Sequence, residues 1–159
     1  MSNAPSPRFK THLPWRDGYQ AVAALQATLD ATALDKIVQE LVKTRVSQLN
    51  GCAYCIDMHT KDALALGETP QRLFALSAWR ETPFFSDAER AALALAEEVT
   101  LIAESHPTDA TVDEARRHFD EEQFLQLLYV IATINVWNRL AVTAGSPAGR
   151  YVSRYERHD

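Results

Sequence analysis

Residues 40–60 read ELVKTRVSQLNGCAYCIDMHT, two helical patterns separated by little more than an Asn-Gly pair. On the upstream side, Leu34, Ile37, Val38, Leu41, Val42 and Leu49 recur at the three- and four-residue intervals of one helix face. The spacing predicts a helix over about 34–49. Asn50-Gly51 ends it, because glycine takes up the left-handed conformation that closes a last helical turn. A second helix follows at once over about 52–66 and stops at Gly67. A chain that reverses direction between helices in so few residues commits its centre to helical packing.

The same signals recur outward from this pair. A first helix is predicted over 18–30. Thr69-Pro70 opens a fourth, with proline at the first helical position. Ser86 with Glu89, Thr111 with Glu114 and Asp120 with Gln123 each carry a capping-box pattern, an oxygen-bearing cap followed three residues on by Glu or Gln. They predict a helix over about 87–104, one opening at Thr111, and a strongly apolar last helix over about 121–144, ending before Gly145 and Pro147. No segment of four or more residues alternates as a strand would. The expected class is all-α and single-domain, with a Pro-rich N-terminal arm at 1–15, a helical domain at 16–146 and a C-terminal tail at 147–159.

The chain has 159 residues, 47% of them hydrophobic and 23% charged, enough to bury one core. Its formal net charge is −5, and no basic block appears, which weighs against nucleic acid or an anionic membrane as a partner. The longest apolar run, LLYVIATI, is about eight residues, against roughly 18 needed to span a bilayer. The N-terminus, MSNAPSPRFKTHLPW, lacks the apolar stretch of a signal peptide. A cytoplasmic location is expected. There, thiols stay reduced, and a CxxC pair serves catalysis or metal binding rather than a permanent staple.

Cys52, Cys55 and His59 fall on one stripe of the third helix. Cys52 sits at the helix start, where unpaired N–H groups and the helix dipole favour an anion, so position alone selects it as the nucleophilic thiol. The two sulfurs are close enough for a disulfide to open and close. A redox pair, a zinc site and inert core cysteines all compete. Zinc is disfavoured, since CxxCxxxH offers three ligands on one helix and no second CxxC or HxxxH completes a tetrahedron. Glu40 lies almost opposite the apolar stripe of its helix, beside Lys36 and Ser47, and by itself reads as a solvated carboxylate. Arg45 sits within that stripe and calls for a partner carboxylate or a subunit interface. Trp79, Phe84 and Phe85 read as core or interface. Asn135, Asn138 and Arg139 stand out as polar residues on an apolar helix that need partners. His106 and His118 read as solvated. No Gly-rich phosphate cradle implies a cofactor.

Glu40, Cys52, Cys55 and His59 together spell E-x11-C-x2-C-x3-H. This resembles the active-site signature of the AhpD-like alkylhydroperoxidases of the carboxymuconolactone decarboxylase superfamily. The similarity continues through residues 61–100 and the stretch YVIATINVWNRLAV, covering most of 35–142. The resemblance implies an AhpD-like helical bundle assembled as a trimer or hexamer. It implies a thiol-dependent reductase of organic hydroperoxides, or a dithiol–disulfide carrier, in antioxidant defence, served by a lipoyl protein or a peroxiredoxin system. Carried over residue by residue, it makes Cys55 the attacking thiol, Cys52 the resolving thiol, and His59 with Glu40 a proton relay. It thereby puts Glu40 against the third helix. Two alternatives are a lactone decarboxylase, as in the superfamily's other branch, which does not depend on a CxxC pair, and a non-enzymatic oligomeric stress protein. One departure stands out: the best-known AhpD proteins carry a histidine just before the second cysteine, and here that residue is Tyr54, whose phenol is a poor base near neutral pH.

Overall fold

The second helix is the axis of the molecule. In the computed structural model, which describes residues 6–156, α2 (Lys36–Leu49) packs against α3 (Ala53–Ala65), α5 (Asp87–Thr100) and α7 (Glu121–Ala144). Every residue from Val38 to Thr44 is buried. Val42 and Val46 enter one core with Leu95, Leu127, Ile131 and Ile134. Leu41 enters a second with Leu73, Leu76, Trp79, Phe85 and Leu93. Each such side chain contributes about 1.5–3 kcal/mol on burial. The remaining elements are α1 (Arg16–Asp30), α4 (Pro70–Ala75), which runs on into a 3-10 segment (Leu76–Glu81), and α6 (Asp109–His118). There is no strand among the described residues, and the protein is all-α as the periodicity predicts.

Two of the three expected capping boxes form. Ser86 with Glu89 opens α5, and Asp120 with Gln123 opens α7. The third does not. α6 begins a turn earlier, with Thr108 as its cap accepting from the Thr111 N–H at 3.3 Å. Glu98 holds the Thr108 N–H at 2.7 Å and so fixes the extended cap conformation there. The hydroxyl of Thr111 is drawn to Glu98 at 2.7 Å instead of capping. α5 ends at Thr100, short of the expected 104, and Leu101–Ser105 form a turn.

The Asn50-Gly51 turn is a Schellman motif. Gly51 has φ +65°, its N–H reaches the Gln48 carbonyl at 3.2 Å, and the Cys52 N–H reaches the Ser47 carbonyl at 2.9 Å. Cys52 therefore closes α2 and at the same time caps α3.

α7 is 24 residues long with a mean hydropathy of 1.3 over its most apolar window, so by length and composition it could cross a membrane, although its continuous apolar run is short. Its place in the fold explains its character: Leu127, Val130, Ile131 and Ile134 are buried in the core. The N-terminal arm, from residue 6, is a strap. Arg8 gives its N–H to the Ala144 carbonyl at 2.7 Å and its guanidinium to Thr143 at 3.0 Å, satisfying the open carbonyls at the end of α7. Residues 1–5 of that arm lie outside the described residues, as do residues 157–159 of the tail. The rest of the tail is clamped to α3. The Gly149 N–H donates to Asp57 at 2.9 Å, Lys61 donates to the Tyr151 carbonyl at 2.9 Å, and Tyr151 and Ser153 both donate to Asp62, at 2.9 and 2.6 Å.

Candidate active site

Cys52 and Cys55 are joined as a disulfide, their Cα atoms 5.4 Å apart. Cys52 is the cap of α3, and its Sγ accepts the Cys55 N–H at 3.3 Å. Both cysteines therefore lie within the first turn. Any benefit from the helix dipole reaches both, which removes the positional argument for Cys52 alone. They are 1% and 3% exposed.

His59, one turn further on, sets its Nδ1 2.7 Å from Glu40 Oε2. Glu40 Oε1 accepts from Lys43 Nζ at 2.9 Å, and Lys43 lies 3.6 Å from Asp30. Glu40 is 1% exposed. The solvated reading of this residue from its own helix is overturned: the polar stripe of α2, made of Glu40, Lys43 and Ser47, faces α3 and α7 rather than water. Burial pushes the Glu40 carboxyl up, but the hydrogen bonds and charges of His59 and Lys43 outweigh it and hold it at about 2. Facing an ionised carboxylate, His59 Nδ1 donates the hydrogen they share.

Three further residues complete this site. Lys43 neutralises Glu40. Asp62, a turn beyond His59, is buried and accepts from Tyr151 and Ser153 of the tail. Ser47 accepts from Asn138 at 3.0 Å, while Asn50 donates to both Asn135 and Asn138 at 2.9 Å. Lys43 lies one turn from Glu40, a pairing that helix spacing itself allows. The partners of Asp62 and Ser47 sit far away in sequence, and only the asparagines of α7 gave a clue, as polar groups in an apolar helix. That amide cluster ties α7 to the turn that carries Cys52.

Glu40, His59 and Asp62 bring three ligand atoms within 4.8 Å of one another. Their chemistry does not fit a metal. Glu40 already binds Lys43 and His59, and Asp62 already accepts from two hydroxyls.

A cavity of about 690 Å³ opens beside Cys55 and His59. Its wall includes Tyr54, Met58, Tyr19 and Trp137, with the strap and the tail closing the sides. Cys52 is not part of that wall. Tyr54, in the place of the familial histidine, has its phenol pushed up by burial and by Tyr19 and Asp57, further from serving as a base.

The other conspicuous residues are accounted for elsewhere. Arg45 has its carboxylate, Glu97, at 2.7 Å, and Glu97 also receives Trp79 Nε1 at 2.9 Å and the Arg80 guanidinium. Trp79 and Phe85 are core residues away from the cavity. Arg139 bonds Asn135 within its own helix. His106 is exposed, and so is His118, which pairs with Glu114 at 3.1 Å.

Residues 16–98 match the model of the carboxymuconolactone decarboxylase family. The chain belongs to that family. Within it the chain is AhpD-like. It shares 34% identity and a TM-score of 0.88 with ATU0492 of Agrobacterium tumefaciens, a protein of unknown function and candidate antioxidant defence protein AhpD, covering 92% of this chain and all of that one. It is 42% identical over 132 residues to the uncharacterized protein YdfG of Bacillus subtilis, covering 83% of this chain and 90% of YdfG. The debrominase Bmp8, solved with 2,3,4-tribromopyrrole, shares 23% identity at a TM-score of 0.75, covering 84% of this chain and 72% of Bmp8, a likeness of fold alone. In this AhpD-like frame the E-x11-C-x2-C-x3-H residues converge on one point, the junction of α2 and α3.

Proposed function

We propose that this protein is a thiol-dependent reductase of organic hydroperoxides acting in antioxidant defence, with Cys55 as the attacking thiol. One observation carries the reading: Cys55 and His59 share the wall of the cavity, while Cys52 lies behind them, bonded to Cys55.

In the reduced protein, His59 Nε2 takes the Cys55 proton, and the buried Glu40 steadies the imidazolium that results. The thiolate attacks one peroxide oxygen. An S–O bond forms, the O–O bond breaks, and the departing alkoxide takes the proton from His59 to leave as the alcohol. Cys52 then attacks the Cys55 sulfenic acid. The S–S bond forms, the S–O bond breaks, and the hydroxide leaves as water with the Cys52 proton. The sum is hydroperoxide plus dithiol giving alcohol, water and disulfide. An external dithiol, such as a dihydrolipoyl group, restores the pair by exchange.

The carrier alternative would have a partner protein's thiol reach the disulfide directly. Its burial favours a small reactant entering by the cavity. The lactone alternative leaves the paired cysteines without a role. Hydroperoxide consumption, followed with dithiothreitol or dihydrolipoamide as reductant, tests the proposal. Turnover that vanishes in Cys55→Ser supports it. Reduced protein that keeps both thiols in excess cumene hydroperoxide overturns it.

A further inference from the structure

The cavity over Cys55 is much larger than the reacting peroxide group needs. About 690 Å³ lies within the roughly 300–1,000 Å³ typical of pockets for small organic molecules. Its wall is largely carbon, with Phe9 from the strap, Tyr19 from α1, Met58 from α3 and Trp137 from α7 all facing it. Tyr19 stacks edge-on to Trp137 with ring centroids 5.3 Å apart.

The charges on that wall are not balanced. Asp30 is held by Arg154 at 2.5 Å and faces Lys43 at 3.6 Å. Asp62 accepts two hydroxyls and has the Arg154 guanidinium at 3.9 Å. The carboxylates and Arg154 thus satisfy one another. Asp57, beside the tail, is taken by Lys61 at 2.9 Å and by the Gly149 N–H. Two further cations remain on the wall, Lys10 on the strap and Arg150 on the tail, and neither is paired with a carboxylate among the described residues. Two open cations at an apolar cavity, in a chain of net charge −5, are a local reversal of the protein's overall sign.

We infer that the cavity selects amphipathic hydroperoxides bearing a carboxylate, their apolar body lying along Phe9, Tyr19, Met58 and Trp137 and their carboxylate meeting Lys10 and Arg150. The inference rests on the hydroperoxide reading for its chemistry, but the binding claim is separable from it. An ionised carboxylate needs charged donors, and arginine offers them in a planar fork. The apolar body needs a dry aromatic wall. The cavity supplies both, from segments at opposite ends of the chain.

The test uses the oxidised full-length protein and the unreactive product of such a substrate. Calorimetry compares 13-hydroxyoctadecadienoic acid with its methyl ester, which keeps the body and removes the charge. The acid is expected to bind about tenfold more tightly than the ester. Lys10→Gln combined with Arg150→Gln should bring the acid to the level of the ester. Lys10→Glu with Arg150→Glu should make the ester the better ligand. Both positions are exposed, so the helical circular dichroism should stay unchanged. Equal affinity for acid and ester, or an acid affinity untouched by the paired variants, overturns the inference.

Turnover of the matching hydroperoxides separates the two claims. Selective binding of the acid with no turnover of any hydroperoxide would uphold the assignment of the cavity and overturn the peroxidase reading. Equal kcat/KM for the hydroperoxy acid, its ester and cumene hydroperoxide would uphold the peroxidase and overturn the selectivity.

Discussion

The Glu40 carboxylate holds Lys43 with one oxygen and His59 with the other, and all three side chains are buried. Removing the charge in Glu40→Gln leaves Lys43 facing only Asp30. Breaking a buried pair typically costs about 3–5 kcal/mol, and Asp30 should keep the loss near about 3, measured by urea unfolding. Adding Lys43→Met should recover most of that stability without restoring the reaction of Cys55 with hydroperoxide. A double variant that regained both would strip Glu40 of its part in the relay. The same carboxylate governs acid behaviour. Its folded pKa, about 2, is below the ordinary value of 4.5, so its contribution is present above pH 4.5 and is lost as pH falls toward 2. Wild-type stability should therefore drop through that window by up to about 3 kcal/mol from this group, and the drop should be shallower in Glu40→Gln. The order of attack is tested by mass spectrometry. Cys52→Ser treated with hydroperoxide should trap a sulfenic acid at Cys55, and Cys55→Ser should consume little; the reverse pattern would make Cys52 the nucleophile. The four residues of the signature were legible as a spacing. Lys43 stands at i+3 from Glu40 and so was within reach of the same spacing, but its burial was not. Asp62 was not legible, because a carboxylate held by the tail depends on partners that spacing along one helix does not reveal.

Helix boundaries were the most legible level of this chain. Periodicity placed α2 and α7 to within about two residues, and the caps at Ser86 and Asp120 formed as their residue types demand. The miss at Thr111 shows the limit of such reading. Thr108 and Thr111 are both competent caps, and Glu98, on a different helix, decided between them. The Asn-Gly turn was legible in full, including the left-handed glycine. Any side chain at Gly51 must adopt φ +65°, which costs roughly 1–2 kcal/mol. Gly51→Ala should lower stability by that amount in chemical denaturation and should also slow the reaction of Cys55, since the turn sets α3 against α2. A stable variant with unchanged rates would mean that the turn merely connects the two helices.

For the whole molecule, the outer side of α7 exposes Leu125, Tyr129, Val136 and Val142 on a helix whose inner side is core. A second copy of the chain is the expected cover. Light scattering at micromolar concentration should give a mass well above the 17.8 kDa of one chain, and Tyr129→Glu with Val136→Glu should reduce it to that value. A monomeric wild type would leave this face as ordinary surface. The apolar character of α7 between Phe124 and Val142, more than one bundle contact needs, was legible in the sequence. Which of its residues face the core was not, because an apolar residue facing outward and one facing the core look alike along a single chain.

Cys52 belongs to the last turn of one helix and the first turn of the next, so the joint between them has no slack. Each residue added to a helix turns everything beyond it by about 100° and advances it by about 1.5 Å. The eleven residues between Glu40 and Cys52 are therefore an angular setting written as a count. An alanine inserted after Val46 would swing Glu40 away from His59, and hydroperoxide consumption should disappear. An insertion after Ser105, in an exposed turn on no path to the site, should leave it intact. Such a chain is free to grow at its loops and is held to a fixed length across the stretch that aligns its two reactive helices.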